Sequence, residues 1–274
     1  MESLSPQLNR QGNGHFQAGD YAEAQRCYQQ ALELDRRSGN PRELVLTLGN
    51  LANIFACTGR EAQAVAAYQE VLALQKQLGD QRGIGITLAN MGNLQADGGA
   101  SDRGEAYYLE ALDLLEPLGE ERTVATILGN LALIARGRGD WARALSLSER
   151  AGVLMKRIGD QTGVAMMQNQ LGKTYGMMGR HDEALASCQK SLDVAERLGD
   201  DRLTAAACYH LAAIYEGLHQ LDRAVAMMER VVAVDEKYQL PKLAENRRRL
   251  EEWRQALQAA SPEAQASHGF HRHL

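Results

Sequence analysis

Small and large apolar side chains recur at fixed positions along this chain, and the pattern repeats with a period of 40 residues. A glycine motif marks the end of successive repeats, at Ser38–Asn40, Leu78–Asp80, Leu118–Glu120, Ile158–Asp160 and Leu198–Asp200. A second glycine lies near the middle of each repeat, at Gly19, Gly59, Gly99, Gly139 and Gly179. Glycine commonly ends a helix, and the Asp or Asn that follows it is a good helix N-cap. Each repeat is therefore predicted to be a helical hairpin.

The side chains inside each hairpin predict how its helices pack. The first helices share a small residue, at Gly12, Ala52, Gly92, Ala132, Gly172 and Ala212. The second helices share another, at Ala24, Ala64, Gly104, Ala144, Ala184 and Ala224. Aromatic residues lie between the small ones, at Tyr28, Phe55, Tyr68, Tyr108, Tyr175 and Tyr215. Small residues let helices approach closely and aromatic rings fill the space between them, so these positions are predicted to be core. Since one hairpin cannot bury its own apolar face, the hairpins are expected to stack.

The period divides the chain into one predicted solenoid domain and a tail. The domain spans residues 1–260, with units at about 4–40, 41–80, 81–120, 121–160, 161–200 and 201–240. A capping helix over 241–260 is predicted to begin at Pro241 and to carry the stripe Leu243, Leu250, Trp253 and Leu257. The glutamates Glu245, Glu251 and Glu252 lie on either side of Arg247, Arg248 and Arg249, which favours a solvated face over a nucleic-acid patch. Residues 261–274 are predicted to be disordered.

This arrangement of small and aromatic positions resembles the tetratricopeptide repeat family. The resemblance covers about 85% of the chain, although the usual repeat of that family is shorter. The longer repeat with its Gly-Asp boundary looks like the subclass found in polarity adaptors with Leu-Gly-Asn repeats and in bacterial regulators of this family. The resemblance implies an all-α, right-handed α-solenoid of six helical hairpins with a C-terminal capping helix. It also implies a protein that binds peptides along its inner surface.

Composition and charge exclude several classes of function. The net charge is −5, so no basic field favours nucleic acid. Neither a secretory signal nor an apolar run long enough for a membrane helix is found, so we expect a cytoplasmic protein with no membrane partner. The four cysteines, Cys27, Cys57, Cys188 and Cys208, have neither disulfide nor zinc spacing and are expected to be reduced. We therefore expect no cofactor and no metal, and we read His268, His271 and His273 as adventitious ligands at most.

The sequence carries no motif for catalysis. Phosphate loops, nucleophile elbows and zinc-binding helix motifs are missing, and the glycines are explained by the helix ends. An enzyme is therefore not expected.

Polar residues on one face of the first helices form the candidate binding site. Helical spacing puts an amide at one position of successive repeats, continued by a histidine, at Asn50, Asn90, Asn130, Gln170 and His210. A second row contains Asn13, Asn53, Asn93 and Lys173, and a row of guanidinium groups contains Arg42, Arg82, Arg122 and Arg202. An amide both donates and accepts hydrogen bonds, so a row of amides suits the main chain of an extended peptide. Guanidinium groups would select carboxylates.

A structural alternative stays open for the asparagines and for the arginines. Each asparagine could bond the neighbouring repeat and set its register, and each arginine could pair with Asp80, Glu120 or Asp160. The expected function is a non-catalytic scaffold or adaptor that holds an extended, acidic peptide of a partner protein in its concave groove. The alternative is a regulatory protein whose superhelix changes shape when a small peptide binds, suggested by the methionine-rich fifth unit.

Overall fold

The computed structural model describes residues 4–99 and 101–259, and these residues fold into thirteen α-helices joined by short turns. The helices are α1 (Leu4–Gln17), α2 (Tyr21–Ser38), α3 (Pro41–Cys57), α4 (Glu61–Leu78), α5 (Gln81–Asp97), α6 (Ser101–Leu115), α7 (Glu121–Gly137), α8 (Trp141–Arg157), α9 (Gln161–Met177), α10 (His181–Leu198), α11 (Asp201–Gly217), α12 (Leu221–Tyr238) and α13 (Leu243–Ala259). The described residues contain no strand. The predicted all-α solenoid class is confirmed.

The helix ends follow the glycine and Asp/Asn pattern of the sequence. Ten glycines at helix ends, spaced about 20 residues apart, have φ between 64° and 84°, a conformation that glycine adopts without steric cost. After most of them an Asp or Asn side chain accepts a hydrogen bond from the first turn of the next helix, as Asp20 does from Glu23. The pattern changes in the last hairpin, where His219 and Gln239 take the left-handed conformation instead.

In the first and third hairpins an aromatic ring packs against a glycine, and at the same position of the fifth hairpin Cys188 faces Gly172. Tyr28 and Tyr108 are almost fully buried, and their rings lie over Gly12 and Gly92 of the preceding helices. Farther along the same hairpin, Gly104 lies against the backbone of α5 at Gly92 and Ala96, so the two helices run antiparallel. A β-carbon at Gly12 or Gly92 would overlap the facing ring, which explains the small residue at this position.

The chain divides into two compact units, the first reaching Ile134 and the second starting at Ala135. In the first unit each helix from α1 to α6 packs on the next, and α1, α3 and α5 also contact one another in order. In the second unit each helix from α8 to α13 packs on the next, and α9 contacts α11. Within each unit the first helices of successive hairpins therefore lie side by side.

Buried polar pairs join some neighbouring hairpins. The Thr47 hydroxyl donates to the carboxylate of Asp35 (2.6 Å) and accepts a hydrogen bond from Asn9 (2.7 Å). The corresponding pair one repeat later is Thr87 and Gln75, whose hydroxyl-to-amide distance is 3.0 Å. In the second unit the Asn246 amide donates to Asp235 (2.7 Å). The positions that correspond to the Asp35–Thr47 pair in the intervening repeats are apolar and buried: Leu115 and Ile127, Met155 and Met167, and Ala195 and Ala207.

The last helix differs from its prediction in where it begins and how far its apolar stripe extends. It begins at Leu243 rather than Pro241, because residues 241–242 form a turn in which the Leu243 amide bonds the carbonyl of Leu240. Leu250 and Trp253 are buried in the core of the second unit, whereas Leu257 is 38% exposed. Residues 260–274, with the predicted disordered tail and its three histidines, lie outside the described residues.

The arginines of the last helix are paired with acidic residues. Arg249 forms an ion pair with Glu216, which also accepts a hydrogen bond from the Trp253 indole (2.8 Å). Arg247 pairs with Glu236 at 2.8 Å, and Arg248 lies 3.9 Å from Glu252. This charged face is therefore largely neutralised by the chain itself.

Candidate functional site

Three asparagines near the ends of α1, α3 and α5 are held in the same way by tyrosines of the following helices. The Tyr28 hydroxyl donates to Oδ1 of Asn13 (2.7 Å), that of Tyr68 to Asn53 (2.6 Å), and that of Tyr108 to Asn93 (2.7 Å). Since Oδ1 is occupied in each case, the orientation of the amide is set. The Nδ2 groups of these asparagines donate no hydrogen bond within the described residues, so they present N–H donors.

Burial keeps these tyrosines in the donating form. It raises the pKa of Tyr68 and of Tyr108 to about 12, and it also raises the pKa of Tyr28. The hydroxyl groups therefore remain protonated throughout the physiological pH range, and the three asparagine oxygens keep their hydrogen bonds.

The first row of amides, which contains Asn50, Asn90 and Asn130, lies one turn earlier in the first helices and has mixed partners. Asn50 donates to Oδ1 of Asn9 (3.1 Å), and Asn130 donates to Oδ1 of Asn93 (2.9 Å). For Asn50 and Asn130 the structure thus contains the bonds to a neighbouring repeat that the structural alternative requires. Asn90 is half-buried and forms no hydrogen bond through its side chain to any described residue.

Two neighbouring cavities bring five of the six asparagines together. A cavity of about 400 Å³ is lined by Asn53, Asn90 and Asn93, with Phe16 and Tyr68 among its apolar walls. A smaller cavity of about 200 Å³ is lined by Asn13, Asn50 and Asn53, again with Phe16. Asn53 and Phe16 belong to both cavities, so these form one continuous polar surface on the first unit.

The arginine row has a different environment from the amides. Arg82 is exposed and forms a bidentate pair with Glu120, an interaction that raises the pKa of Arg82 and lowers that of Glu120. This is the pairing with a boundary acid that the structural alternative requires. Arg42 and Arg122 are exposed, and the Arg202 guanidinium lies 5.5 Å from the ring centre of Tyr238. Neither cavity of the first unit is lined by an arginine.

The predicted residues of the second unit lie in a positively charged environment. Burial, with smaller contributions from the charges of Lys173, Arg136 and Lys242, lowers the pKa of His210 to about 4. Burial also lowers the pKa of Lys173, with added effects from Arg136 and Lys242. The buried Oε1 of Gln170 has no hydrogen-bond partner among the described residues.

Several residues of these sites were not predicted from the sequence. Asn9 and the three tyrosine hydroxyls orient the asparagines, and Arg136 and Lys242 contribute charge around His210. A sequence pattern that could have identified Arg136 is a separation of 37 residues, because Asn93 and Asn130, which are 37 residues apart, form a hydrogen bond between neighbouring repeats. The same separation links Arg136 to Lys173 and Lys173 to His210.

Family profiles identify the repeat. A profile described as Tetratricopeptide repeat matches residues 4–77 and 163–237, which together make up more than half of the chain. A second profile with the same description matches residues 124–151. The chain belongs to the tetratricopeptide repeat family. Proteins of this family generally act as scaffolds for protein–protein interactions.

Solved structures share the tetratricopeptide repeat fold at low sequence identity. BtubC (BKLC) from P. vanneervenii superposes with a TM-score of 0.69 at 22% identity, over 80% of this chain and 91% of that one. A signal transduction ATPase with a tetratricopeptide repeat sensor from Pyrococcus horikoshii has a TM-score of 0.71 at 14% identity, over 90% and 38%. A Rap protein complexed with competence and sporulation factor has a TM-score of 0.64 at 14% identity, over 91% and 74%. No curated protein sequence matches the chain.

The described residues of this tetratricopeptide repeat protein contain neither a metal-binding cluster nor a helix that could span a membrane. No group of three or more His, Cys, Asp and Glu side chains in residues 4–99 and 101–259 is placed to hold a metal ion. Over the same residues no helix is both long and apolar enough to cross a membrane. The four cysteines are free thiols, and burial raises the pKa of Cys188 to about 12.

Proposed function

We propose that this protein is a non-catalytic, cytoplasmic scaffold that binds an extended, acidic peptide segment of a partner protein in a groove lined by its first helices. The observation that carries the proposal is the environment of Asn90. Its amide lines a cavity of about 400 Å³, is half-buried, and has no hydrogen-bond partner within the described residues. A half-buried amide without a partner is poorly satisfied, and a ligand could supply the missing bonds.

The neighbouring asparagines support a main-chain ligand in particular. Asn53 and Asn93 line the same cavity as Asn90. Their Oδ1 atoms accept hydrogen bonds from Tyr68 and Tyr108, so their N–H groups remain available as donors. An extended peptide offers a carbonyl oxygen at every residue, so fixed donors repeated along a surface suit it whatever its side chains. The aromatic walls of the cavity would receive an apolar side chain.

Asn90 also provides a clean test, because replacing it removes no bond inside the protein. A displayed library of random peptides is selected on the wild-type protein, and the affinities of the selected peptides are measured. We expect Asn90→Ala to weaken binding by roughly 2- to 12-fold, which corresponds to about 0.5–1.5 kcal/mol for one hydrogen bond. Thermal stability should stay the same or rise slightly, since alanine is the better helix former.

A matched control uses the exposed Gln30 in α2 of the same unit. Gln30→Ala also removes an amide but should leave peptide affinity unchanged. If Asn90→Ala binds the selected peptides as well as wild type does, the amide surface is not the binding site. If no peptide is selected at all, peptide binding itself is refuted.

A second candidate function is a regulator that changes shape when a small peptide binds, as in the 40-residue bacterial subclass. It is supported by three exposed methionines of the second unit, Met166, Met177 and Met178, since methionine adapts its shape to a ligand. The fold likeness to a Rap protein crystallised with competence and sporulation factor is consistent with this second function. Small-angle scattering with and without a selected peptide tests this function, and an unchanged profile would refute it.

A further inference from the structure

Four basic side chains of the second unit lie close enough to act electrostatically on one another. Arg136 comes from the last turn of α7, Lys173 from α9, His210 from α11 and Lys242 from the turn before α13. Arg136, Lys173 and Lys242 each act electrostatically on His210. The His210 ring also stands edge-on to Tyr209, at 5.8 Å between ring centres.

Within the described residues, no carboxylate pairs with Arg136, Lys173 or Lys242. Other cations of the second unit do have such partners, for example Arg230 with Glu196 and Arg180 with Glu183. The charged groups that shift the pKa of His210 are all cations. Placing three like charges together without a counter-ion destabilises the folded chain, so the arrangement favours the binding of an anion.

An apolar cavity adjoins these charges. It has a volume of about 400 Å³ and its walls are mainly apolar, with Ala205, Tyr209 and Leu240 among them. Arg202, Asp235 and Asn246 also line it, and the Asp235 carboxylate accepts a hydrogen bond from the Asn246 amide (2.7 Å). Lys242 lies at this cavity and also acts on His210, and its ammonium is 5.7 Å from the ring centre of Tyr209. A ligand that bears a carboxylate beside an aliphatic side chain would satisfy both features at once.

We propose that Arg136, Lys173, His210 and Lys242 form a carboxylate-binding site for an acidic side chain of the bound peptide, with the adjoining cavity taking a neighbouring aliphatic side chain. This inference rests on the proposed function and assigns its acidic preference to the second unit instead of the arginine row. Charge complementarity identifies the occupant, because guanidinium and ammonium groups form charge-assisted bonds with carboxylates. The neutral His210 ring can donate a further hydrogen bond.

The experiment uses the full chain and two synthetic probes, acetyl-Glu-Leu-Glu-Glu-amide and its counterpart with glutamine in place of glutamate. Binding is measured by calorimetry, and the pKa of His210 is followed by proton NMR, with His210→Gln used to assign the signal. We expect the glutamate probe to bind at least about tenfold more tightly than the glutamine probe. It should also raise the pKa of His210 above its value of about 4 in the free protein, since a bound anion opposes the three cations.

Two variants separate the basic site from general surface charge. Lys173→Gln should weaken the glutamate probe by about tenfold or more while leaving the glutamine probe unchanged. Arg230→Gln removes a cation that is already paired with Glu196, and it should leave both probes unchanged. Equal loss in the two variants would overturn the assignment, as would a glutamate probe that binds no better than the glutamine probe or leaves the pKa of His210 unchanged.

Further measurements distinguish a peptide carboxylate from other anions, and they separate a failure of this inference from a failure of the proposed function. Inorganic phosphate that raises the pKa of His210 as much as the glutamate probe would identify a general anion site and refute the assignment to peptide carboxylates. If Asn90→Ala weakens the library-selected peptides while glutamate confers no preference, this inference fails and the proposed function stands. If glutamate is preferred and Asn90→Ala has no effect, the basic site stands and the amide surface fails.

Discussion

Replacing Tyr108 by phenylalanine tests whether the tyrosine hydroxyls hold the asparagine surface in place. The substitution keeps the buried ring and removes one oxygen. That oxygen donates to Asn93 (2.7 Å) and accepts from Asn130 (3.2 Å), so two hydrogen bonds are lost together. At about 1 kcal/mol net for each bond, the loss in the free energy of unfolding should be about 2 kcal/mol. In contrast, Tyr28→Phe should cost only about 0.5 kcal/mol, because it loses one bond to Asn13, whose exposed amide can bond water instead.

Urea denaturation followed by circular dichroism measures both variants, with Tyr107→Phe as the control. Tyr107 lies next to Tyr108 in α6 but has no hydrogen bond within the described residues, so its variant should match wild type. Repeat proteins open in parts, so hydrogen exchange in α5 and α6 gives the local free energy where the global curve is not two-state. Equal losses for Tyr28→Phe and Tyr108→Phe would refute the reasoning, since the hydroxyl would then contribute independently of its surroundings.

Further predictions concern packing, pH and thiol reactivity. Gly92→Ala should destabilise the protein by about 1–3 kcal/mol, because the new methyl group would lie 2.6 Å from the Tyr108 ring. Gly49→Ala has open space and should stabilise the protein by about 0.5–1 kcal/mol. Thermal melts that rank the two variants in the opposite order would contradict this account of the packing. His210 titrates at about 4 in the folded chain and near 6.5 when unfolded, so the unfolded state binds more protons between these values and stability falls as pH is lowered through them. Urea midpoints at pH 7 and 4.5 should show that His210→Gln loses this dependence, worth up to about 3 kcal/mol. A thiol reagent should modify the exposed Cys57 first and the buried Cys188 only on unfolding, and mass spectrometry of the labelled peptides would reveal the reverse order.

The sequence was sufficient to predict the hairpins because their ends depend on local chemistry. A positive φ strongly favours glycine, and a carboxylate or amide after it caps the next helix, so Gly79 and Asp80 can be read without tertiary information. Local rules were less informative at the last hairpin, where Gln239 replaces the glycine, and at Pro241, which suits a helix start but lies in the turn before α13. There the packing of Leu250 and Trp253 determines where the helix lies.

The environment of the predicted site could be read only in part. Helical spacing brought Asn53, Asn90 and Asn93 to one cavity, but it could not show which amides already had partners. Lys173 and His210 were predicted as members of the amide rows, but Arg136 and Lys242 were missed because the four basic residues occupy different positions of the repeat. Aligning the repeats at their period of 40 residues does not place Arg136 opposite Lys173. The two residues are 37 positions apart, which is the separation that also relates Asn93 to its hydrogen-bond partner Asn130.

Because of the buried polar pairs, a repeat from one position of the protein cannot replace a repeat at another position without loss of stability. Next to Asp35 a repeat must bring a hydroxyl such as Thr47, whereas the equivalent Leu115 requires an apolar neighbour such as Ile127. Moving the first repeat beside a central one would bury a carboxylate against a hydrocarbon surface, which costs several kcal/mol by order of magnitude. Gene duplication can therefore lengthen this protein by copying a central repeat, whereas a copy of the first repeat placed beside a central one would destabilise the fold.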